Sequence, residues 1–317
     1  MKYVYTRSEI DAVLPRVDVV EAIAQGFVAF SRGDVDVPPV GELLFPENSG
    51  EFHIKYGAIR GDDVFVVKLA TGFFKNPAIG LPPFSGCMLV LSQSTGMVEA
   101  VLLEEGELTN HRTAAAGAVA AKALAPKKLA AIGIVGSGVQ ARMQAGYLRR
   151  VTDCRDLLIW GRDCDATKRA ASDIEQLGYR VSIPASLSDL CERARLIVTT
   201  TAAEEPLLTL SMVKPGTHIT AMGSDTARKH EIDPEILEAA DLVVADSLAQ
   251  SEYRGEIYQA RKAGYLQQKK LVELGAVLSG QALGRTSDDQ VTLIDLTGVA
   301  VQDISIAKAV LHELKSE

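Results

Sequence analysis

The chain has 317 residues, 47% of them hydrophobic, so it is long enough for two domains and can bury a large core. Acidic residues outnumber basic residues by 41 to 33, which gives a formal net charge of -8 at pH 7. Since no block of lysine and arginine stands out, we expect no nucleic-acid partner and no anionic membrane partner. The N-terminal segment is charged where a secretory signal is apolar, and no apolar run approaches the length of a membrane span. A cytoplasmic protein is therefore expected.

The cysteines give no sign of a metal site. They form no Cys-x-x-Cys pair, and no histidine lies at zinc-ligand spacing. We predict free thiols in a reducing compartment and no bound metal. The positions are Cys87, Cys154, Cys164 and Cys191.

The first third of the chain predicts a small domain that mixes helix and sheet. Apolar residues recur at helical spacing over 19–30. The segment 93–96, Gln-Ser-Thr-Gly, joins two apolar runs and is typical of a hairpin, so an antiparallel or mixed sheet is expected. The predicted strands cover 3–5, 51–57, 64–70, 87–92 and 97–103.

From residue 108 onward helices and strands alternate. The alanine-rich segment 108–124 predicts a helix that joins two domains, and Ala125-Pro126 ends it. The alternation predicts a parallel, doubly wound sheet, and the tail 298–314 predicts a helix that returns to the first domain. The fold class is therefore α/β, a Rossmann sheet plus a smaller α+β domain. The strands of the Rossmann sheet are predicted at 130–135, 156–160, 196–201, 216–221, 241–245 and 291–296.

A glycine-rich turn follows the first of these strands. It reads Gly-Ser-Gly-Val-Gln-Ala over 136–141. Backbone without side chains can approach a pyrophosphate closely, and free N–H groups at a helix start donate to it. Such glycines also occur in ordinary loops, but the flanking strands match a βαβ unit. We predict a nicotinamide or flavin dinucleotide, bound by Gly136, Ser137, Gly138, Val139 and Gln140.

The end of the second strand bears on the choice between NAD(H) and NADP(H). In an NAD site an acidic residue there binds the ribose 2′-hydroxyl. The strand ends at Trp160, Gly161 takes the expected acidic position, and Arg162 follows. Arg162 favours a 2′-phosphate unless it is a solvated loop residue, while Asp163 can still serve NAD. Loops after other strands add Thr200, Thr201 and Gly298 as expected cofactor contacts.

Three further segments carry a family resemblance. They are Val-Lys-Leu-Ala-Thr-Gly over 67–72, Leu-Thr-Asn-His-Arg-Thr-Ala-Ala over 108–115, and Ala-Met-Gly-Ser-Asp over 221–225. With the glycine turn between them, they resemble the ornithine cyclodeaminase and mu-crystallin family, in the right order over most of the chain. Met222, Gly223 and Ser224 complete the predicted cofactor-binding set.

The resemblance implies a homodimer with two domains. Residues 1–113 with 299–317 would bind substrate and form the dimer interface, while 114–298 would form the Rossmann domain with its nicotinamide cofactor. In that family the residues that correspond to Lys68 and Arg112 lie near an amino-acid substrate. The aspartate that corresponds to Asp225 lies across from them.

Side-chain chemistry supports these roles. A substrate carboxylate suits the planar, bidentate guanidinium of Arg112, and Lys68 is expected to hold that carboxylate or relay a proton. A carboxylate such as Asp225 stabilises a cationic imine or exchanges its proton. His53 and His111 are further substrate-binding candidates. Structural alternatives are an Arg112 network at a helix start, Lys68 as an outward strand residue, His53 as a half-buried strand residue and Asp225 as the cap of a helix over 231–237.

Two departures from the family pattern affect specificity. Many relatives carry an arginine soon after a proline pair, whereas Pro38-Pro39 is followed here by Val40, Gly41 and Glu42. Glu42 would repel a carboxylate unless it binds an amino group or faces away. Ala227 also stands where ornithine-type members usually have proline.

The expected activity is NAD(P)H-dependent reduction of an imino acid to an L-amino acid, and the reverse oxidation. The imino acid is supplied preformed or arises from a 2-oxo acid and an amine; iminosuccinate, iminopyruvate and cyclic ketimines remain open. One alternative is ornithine cyclodeamination with bound NAD. Another is a crystallin-like protein that binds a dinucleotide without turnover.

Overall fold

The structure, a computed structural model, describes residues 3–267 and 271–316. The chain divides into two units, and the division falls within one helix. The first unit comprises Met1–Arg112 with Val299–Glu317, and the second comprises Thr113–Gly298. In the described ranges, no helix is both long and apolar enough to cross a bilayer.

The helices cover most of the segments that the sequence pattern predicts as helical. Asp18 caps the second helix by accepting a hydrogen bond from the N–H of Glu21 at 3.1 Å. The helices are α1 (Arg7–Val13), α2 (Val19–Ser31), α3 (Glu107–Leu124), α4 (Val139–Leu148), α5 (Cys164–Gln176), α6 (Leu187–Arg193), α7 (Pro234–Ala239), α8 (Gly255–Lys262), α9 (Leu274–Leu278) and α10 (Ala300–Lys315).

The first unit, as far as it is described, is built on a seven-stranded sheet. Its strands are β1 (Val4–Tyr5), β2 (Val35–Asp36), β3 (Gly41–Phe45), β4 (Gly50–Ile59), β5 (Val64–Phe73), β6 (Phe84–Ser92) and β7 (Val98–Leu102). The order is β1-β7-β6-β5-β4-β2, and β3 also pairs with β4. Only β1 and β7, among these pairs, are parallel. The mixed sheet agrees with the sequence pattern, which predicts neither β2 nor β3.

One face of this sheet carries the polar residues of the candidate site. Directly paired residues on neighbouring strands share a face, and so do alternate residues along one strand. Lys68 of β5 is paired with Lys55 of β4, so Lys55, His53 and Glu51 lie on the same face as Lys68. Glu42 of β3 is paired with His53 and joins this face.

The core of the first unit lies between the sheet and the helices α1, α2 and α10. Ile23 and Phe27 of α2, Val66 and Val90 of the sheet, and Ile304 of α10 are completely or almost completely buried. Burial of such side chains supplies most of the driving force for folding. The C-terminal helix is therefore part of the first unit's core.

The second unit contains, within its described residues, an eight-stranded sheet in which every pair is parallel. The order is β10-β9-β8-β11-β12-β15-β13-β14. All six strands that the sequence predicts in this region are present, while β10 and β14 are too short to show a periodic pattern. The strands are β8 (Ile132–Val135), β9 (Asp156–Trp160), β10 (Arg180–Ser182), β11 (Leu196–Thr199), β12 (His218–Ala221), β13 (Leu242–Ala245), β14 (Val272–Glu273) and β15 (Thr292–Asp295).

Apolar side chains cover both faces of this sheet. Ile132 and Ile134 pack in one buried cluster with residues of α4 and α5. Val135, on the opposite face, packs in a second cluster with residues of α6, α7 and α8. Helices on both faces of a parallel sheet define the doubly wound Rossmann architecture, so the predicted fold class is confirmed.

Candidate active site

A buried ionic cluster lies on the face of the first unit's sheet that also carries Val66 of the core. Lys68 Nζ donates a hydrogen bond to Asp303 Oδ1 of α10 at 2.9 Å, and Arg112 Nε lies 3.2 Å from the same oxygen. Arg112 Nη1 also donates to Gln302 Oε1 at 2.9 Å. Lys68 and Asp303 are each 1% exposed and Arg112 is 8% exposed. Two of the predicted substrate-binding residues are thus brought together, by an aspartate that the sequence analysis did not assign to the site.

The charges in this cluster depend on one another. Burial lowers the pKa of Lys68, and the neighbouring Asp303 counteracts that shift. For Asp303, burial acts to raise the pKa, but the charges of Lys68, Arg112 and Lys55 outweigh it and the pKa is lowered. Asp303 is therefore a carboxylate at neutral pH, shared by two cations. Asp303 Oδ2 and Gln302 Nε2 have no hydrogen-bond partner within the described residues.

Glu104 is a second buried carboxyl near Lys68. Its Oε2 accepts a hydrogen bond from the N–H of Leu108 at 2.8 Å, which caps the start of α3. Burial raises the pKa of Glu104, while the charge of Lys68 and the backbone hydrogen bonds lower it. Glu104 therefore fixes the beginning of the helix that carries Arg112.

The two histidine candidates occupy different positions. His53 lies between two carboxylates, with Nδ1 3.7 Å from Glu42 Oε1 and Nε2 3.7 Å from Glu51 Oε1. His111 is half-buried on α3, one residue before Arg112. The acidic neighbours of His53 add negative charge to the same sheet face as Lys68.

The glycine turn of the second unit joins β8 to α4. Gly136 has φ of 125°, and a Cβ built on it would lie 2.4 Å from Thr200 Oγ1, so both conformation and space require glycine. The N–H of Gly136 donates to the carbonyl of Trp160, and the N–H of Thr200 donates to the carbonyl of Val135. The turn is thus tied to the ends of β9 and β11, where the strand order reverses.

The geometry of Gly138 fits a dinucleotide pyrophosphate. Gly138 is the N-cap residue of α4, and a Cβ built on it would meet no atom within 4 Å. The protein therefore leaves open space beside backbone N–H groups at a helix start, which favours an anion. Ser137, Val139 and Gln140 lie in the same segment, so the predicted phosphate-binding residues form one continuous surface.

Replacing Gly138 by alanine tests this assignment. Because the new methyl group meets no protein atom, the melting temperature should stay near that of the wild type, while NADH binding should weaken about tenfold or more as the methyl group occupies the pyrophosphate's place. Fluorescence titration with NADH measures the affinity. Gly146→Ala, in the same helix, is the matched control, because its new methyl group would make only an ordinary contact of 3.9 Å with the Leu177 side chain. It should bind NADH normally; unchanged affinity in both variants would rule out this phosphate site.

The end of β9 has no side chain at the expected acidic position. A Cβ at Gly161 would lie 2.7 Å from Thr167 Oγ1 and 3.2 Å from Ser137 Oγ, so an acidic side chain would not fit without movement. Asp163 caps α5, since its Oδ1 accepts a hydrogen bond from the N–H of Ala166 at 2.9 Å. Arg162 lies exposed between them.

Further predicted residues lie in the loops after three strands: Thr200 and Thr201 after β11, Met222, Gly223, Ser224 and Asp225 after β12, and Gly298 after β15. The N–H of Met222 donates to the carbonyl of Thr199 at 3.2 Å, which joins the two strand ends. Asp225 follows on the second loop, with its side chain 52% exposed and its Oδ1 2.6 Å from Lys229 Nζ. The next helix, α7, is capped by Asp233, so the alternative of Asp225 as a helix cap is wrong. Asp225 therefore presents its carboxylate from a loop.

Four completely buried carboxyl groups lie near these strand ends. Glu256 accepts hydrogen bonds from the N–H groups of Glu231 and Ile232, and Asp295 Oδ2 accepts from the N–H of Ile257 at 2.9 Å. Asp246 accepts from Thr297 and from the N–H of Gly298. Each carboxyl thus fixes a backbone segment at this edge of the sheet. The four residues are Glu231, Asp246, Glu256 and Asp295.

Asp295 gives a prediction about pH. Burial, with the negative charge of Asp246 nearby, raises its pKa from 3.8 to about 8. Because the folded chain holds a proton that the unfolded chain releases, this group's contribution to the unfolding free energy falls as pH rises from about 4 to about 8. Asp295→Asn can still accept from Ile257, so its melting temperature should fall less than that of the wild type between about pH 5 and about pH 9. Equal decreases would show that Asp295 ionises normally.

No group of three or more histidine, cysteine, aspartate or glutamate residues in the described ranges is arranged to hold a metal ion. Sequence patterns did not identify Asp303, Gln302, Glu104 or Glu231 as members of these sites. The available signal for Gln302 and Asp303 was the segment Val-Gln-Asp over 301–303, which also resembles the family.

The parallel sheet, the glycine turn and the open helix start define a dinucleotide-binding protein of the Rossmann class. Residues 1–317 match the family model described as "Ornithine cyclodeaminase/mu-crystallin family". The chain belongs to the ornithine cyclodeaminase/mu-crystallin family.

Known relatives cover almost the whole chain. An uncharacterized cyclodeaminase of Sinorhizobium fredii is 41% identical over 311 residues, which are 96% of this chain and 93% of the relative. The structure of an archaeal alanine dehydrogenase dimer with bound NAD is 32% identical, with a TM-score of 0.91 over 99% of this chain and 96% of that chain. The iminosuccinate reductase of Paracoccus denitrificans, in complex with NAD+, is 31% identical, with a TM-score of 0.90 and coverage of 99% and 96%.

Proposed function

We propose that this chain catalyses the NAD(P)H-dependent reduction of an imino acid to an L-amino acid, and the reverse oxidation. The imino acid is supplied preformed, as a cyclic ketimine, or arises from a 2-oxo acid and ammonia or an amine, as iminosuccinate or iminopyruvate does. Two of the solved relatives, an alanine dehydrogenase and an iminosuccinate reductase, hold NAD. The names of these two relatives, a dehydrogenase of an amino acid and a reductase of an imino acid, agree with the two directions of the proposed reaction.

The buried cluster of Lys68, Arg112 and Asp303 carries this proposal. Two cations share the one carboxylate of Asp303 in a place with little water. Burial raises the pKa of Glu104, the other buried carboxyl near Lys68, which weakens its compensation of their charge. Burying such a charge is unfavourable unless an anion compensates it. The carboxylate of an amino or imino acid supplies that compensation, and the planar guanidinium of Arg112 is suited to bind it with two hydrogen bonds.

Each proposed residue then has a chemical task. Arg112 and Lys68 bind and orient the substrate carboxylate, and Asp303 holds both cations in place. Asp225 stabilises the positive charge of the protonated imine, because a carboxylate near a developing cation lowers its energy. The nicotinamide cofactor, when bound, supplies the hydride that is added to the imine carbon. Lys68, whose pKa burial lowers, also exchanges a proton more readily than an exposed lysine.

The second strand of the Rossmann sheet supports the use of NADPH as well as NADH. Gly161 leaves no acidic side chain at the ribose position, and the carboxylate of Asp163 is engaged by the N–H of Ala166. An acid at the ribose position would repel a 2′-phosphate, whereas Arg162 attracts one. Both cofactors therefore belong in every activity assay.

The experiment that tests the proposal follows oxidation of NADH and NADPH by absorbance. Pyruvate, glyoxylate, oxaloacetate and cyclic imines are each offered with and without ammonium or methylamine. The expected result is oxidation of NAD(P)H that depends on an amine when a 2-oxo acid is offered, or oxidation of NAD(P)H by a cyclic imine without added amine. Cofactor binding without hydride transfer across the panel would contradict the proposal and favour a crystallin-like binding protein.

Ornithine cyclodeamination is a second candidate, favoured by the acidic residues on the substrate face. Glu42 and Glu51 flank His53 and share the face of Lys68, where a carboxylate would attract the side-chain amino group of a diamino acid. The S. fredii relative is described as a cyclodeaminase. Release of proline and ammonia from ornithine, with no accumulation of NADH, would establish this reaction instead.

We also propose that the chain forms a homodimer. The archaeal relative is a dimer, and the first unit exposes several large apolar side chains, which mark association surfaces when they are contiguous. A mass of twice 33.9 kDa by light scattering is expected, and a monomeric mass would contradict it. The exposed residues include Leu43, Leu44, Phe45, Phe74, Ile79 and Phe84.

A further inference from the structure

Glu231 is completely buried and binds two strand ends at once. Its Oε1 accepts hydrogen bonds from the N–H and the hydroxyl of Thr201, both at 2.7 Å. Its Oε2 accepts from the Thr199 hydroxyl and from the N–H of Gly223, both at 2.8 Å. One carboxylate therefore joins the segment at the end of β11 to the segment at the end of β12.

The four donors favour the ionised form of the side chain. Burial has the largest effect on Glu231 and raises its pKa, while the hydrogen bonds from Thr201, Thr199 and Gly223 act in the opposite direction. A carboxylate can accept all four bonds, while a neutral acid can do so only with three of them, because one threonine hydroxyl must turn to accept its proton. The ionised form is thus the one that this surrounding satisfies.

Glu231 also closes the loop that carries Asp225. The loop leaves β12 at Met222 and returns at Glu231, so the bond to the N–H of Gly223 ties the two ends of this loop together. Inside it, the Ser224 hydroxyl donates to the carbonyl of Lys229 at 2.6 Å. Glu256 holds the returning end by accepting the N–H of Glu231 at 2.7 Å.

We propose that Glu231 is a positioning residue that holds the loops after β11 and β12 in the arrangement required for dinucleotide binding and for presenting Asp225. It acts through these loops and contacts neither substrate nor cofactor. The inference rests on the proposed function for the tasks of the two loops. In parallel α/β sheets, ligands bind outside the carboxyl ends of the strands, where both loops lie.

The variant Glu231→Gln tests the role of the carboxylate with minimal change in shape. Whichever way the amide is turned, its NH₂ group faces either Thr201 or Gly223, so one backbone N–H loses its acceptor. Glutamine can therefore hold one loop but not both. We expect the Kd for NADH and for NADPH, measured by fluorescence, to rise about 30-fold, the range for losing a hydrogen bond to a charged group.

Hydrogen exchange of the chain without cofactor supplies a second readout that does not depend on activity. Amide groups in 200–204 and 222–230 should exchange faster in Glu231→Gln than in the wild type, because their closing bonds are lost. Thr199→Val, which removes a single side-chain donor, should give a smaller change in the same direction. Both measurements remain valid if no imino acid is turned over, so the inference and the proposed function can fail separately.

A control separates positioning from general stability. Leu190→Ala creates a cavity at a completely buried position of α6 and should lower the melting temperature while leaving both loops protected and cofactor affinity unchanged. If Glu231→Gln lowers the melting temperature but leaves loop exchange and cofactor affinity near wild type, the proposal is overturned. It is also overturned if Leu190→Ala weakens cofactor binding as strongly.

Discussion

Replacing Asp225 by asparagine is expected to slow hydride transfer by about 10³-fold, within the range for a group that assists charge or proton transfer. Asparagine keeps the size of the side chain but removes the negative charge that would stabilise a protonated imine. Since the Asp225 side chain is half exposed on a loop, the melting temperature and the Kd for NADH should remain close to the wild-type values. Single-turnover kinetics with prebound cofactor isolate the hydride-transfer step.

Lys229→Met is the matched control for this variant. It removes the cation that lies 2.6 Å from the Asp225 carboxylate but leaves the carboxylate itself. Its effect on hydride transfer should be much smaller than that of Asp225→Asn. Near-normal turnover in Asp225→Asn would remove Asp225 from the mechanism, and equal losses in both variants would assign the effect to the ion pair.

Replacing Arg112 by lysine is expected to lower kcat/KM for the imino or oxo acid by about 10²-fold, comparable with the loss of one or two hydrogen bonds between charged groups. Lysine keeps the positive charge, so Asp303 does not lose its second cation, but it cannot offer the planar pair of donors that a carboxylate requires. The main change should be a higher KM for the substrate. Arg112→Ala should be affected more strongly, because it also leaves Asp303 with one fewer cation.

Cofactor affinity decides how this result is interpreted. The Kd for NADH should be unchanged in Arg112→Lys if the residue acts on the substrate carboxylate. Arg60→Lys, at an exposed arginine of the first unit that pairs with Asp36, is the control and should behave as the wild type. Parallel losses of substrate use and cofactor binding would point to a structural role for Arg112.

The two sites differ in how much of them the sequence reveals. The phosphate-binding turn is continuous in sequence, and its glycines follow from local requirements on backbone conformation and space, so a short pattern is sufficient. The ionic cluster joins Lys68 to a partner 235 residues away and Arg112 to a partner 190 residues away. A sequence pattern identifies Lys68 and Arg112 by family resemblance but does not show that both cations share Asp303.

Short elements illustrate the same limit within the fold. The sequence of β3 shows no alternation of buried and exposed positions, because four of its five residues are exposed. Strand β14 has only two residues, too few for a pattern. Such strands form because a neighbouring strand offers unpaired backbone groups. Helix α7 likewise begins at Pro234 and not at 231, because Asp233 supplies the cap and proline is favoured at the first helical position while disfavouring helical conformation in the residue before it.

The sequence by itself determined the Rossmann class, the positions of the longer strands along the chain, the glycine turn and the family, because each depends on local periodicity or on a contiguous motif. Only the tertiary structure decided which charges neutralise one another and which carboxylates hold the loops at the strand ends. The physical reason is that a buried charge is unfavourable unless a partner lies close to it in space, and such partners can be far apart in sequence. Asp303 therefore pairs with Lys68 and Arg112, and Glu231 binds the segments after β11 and β12.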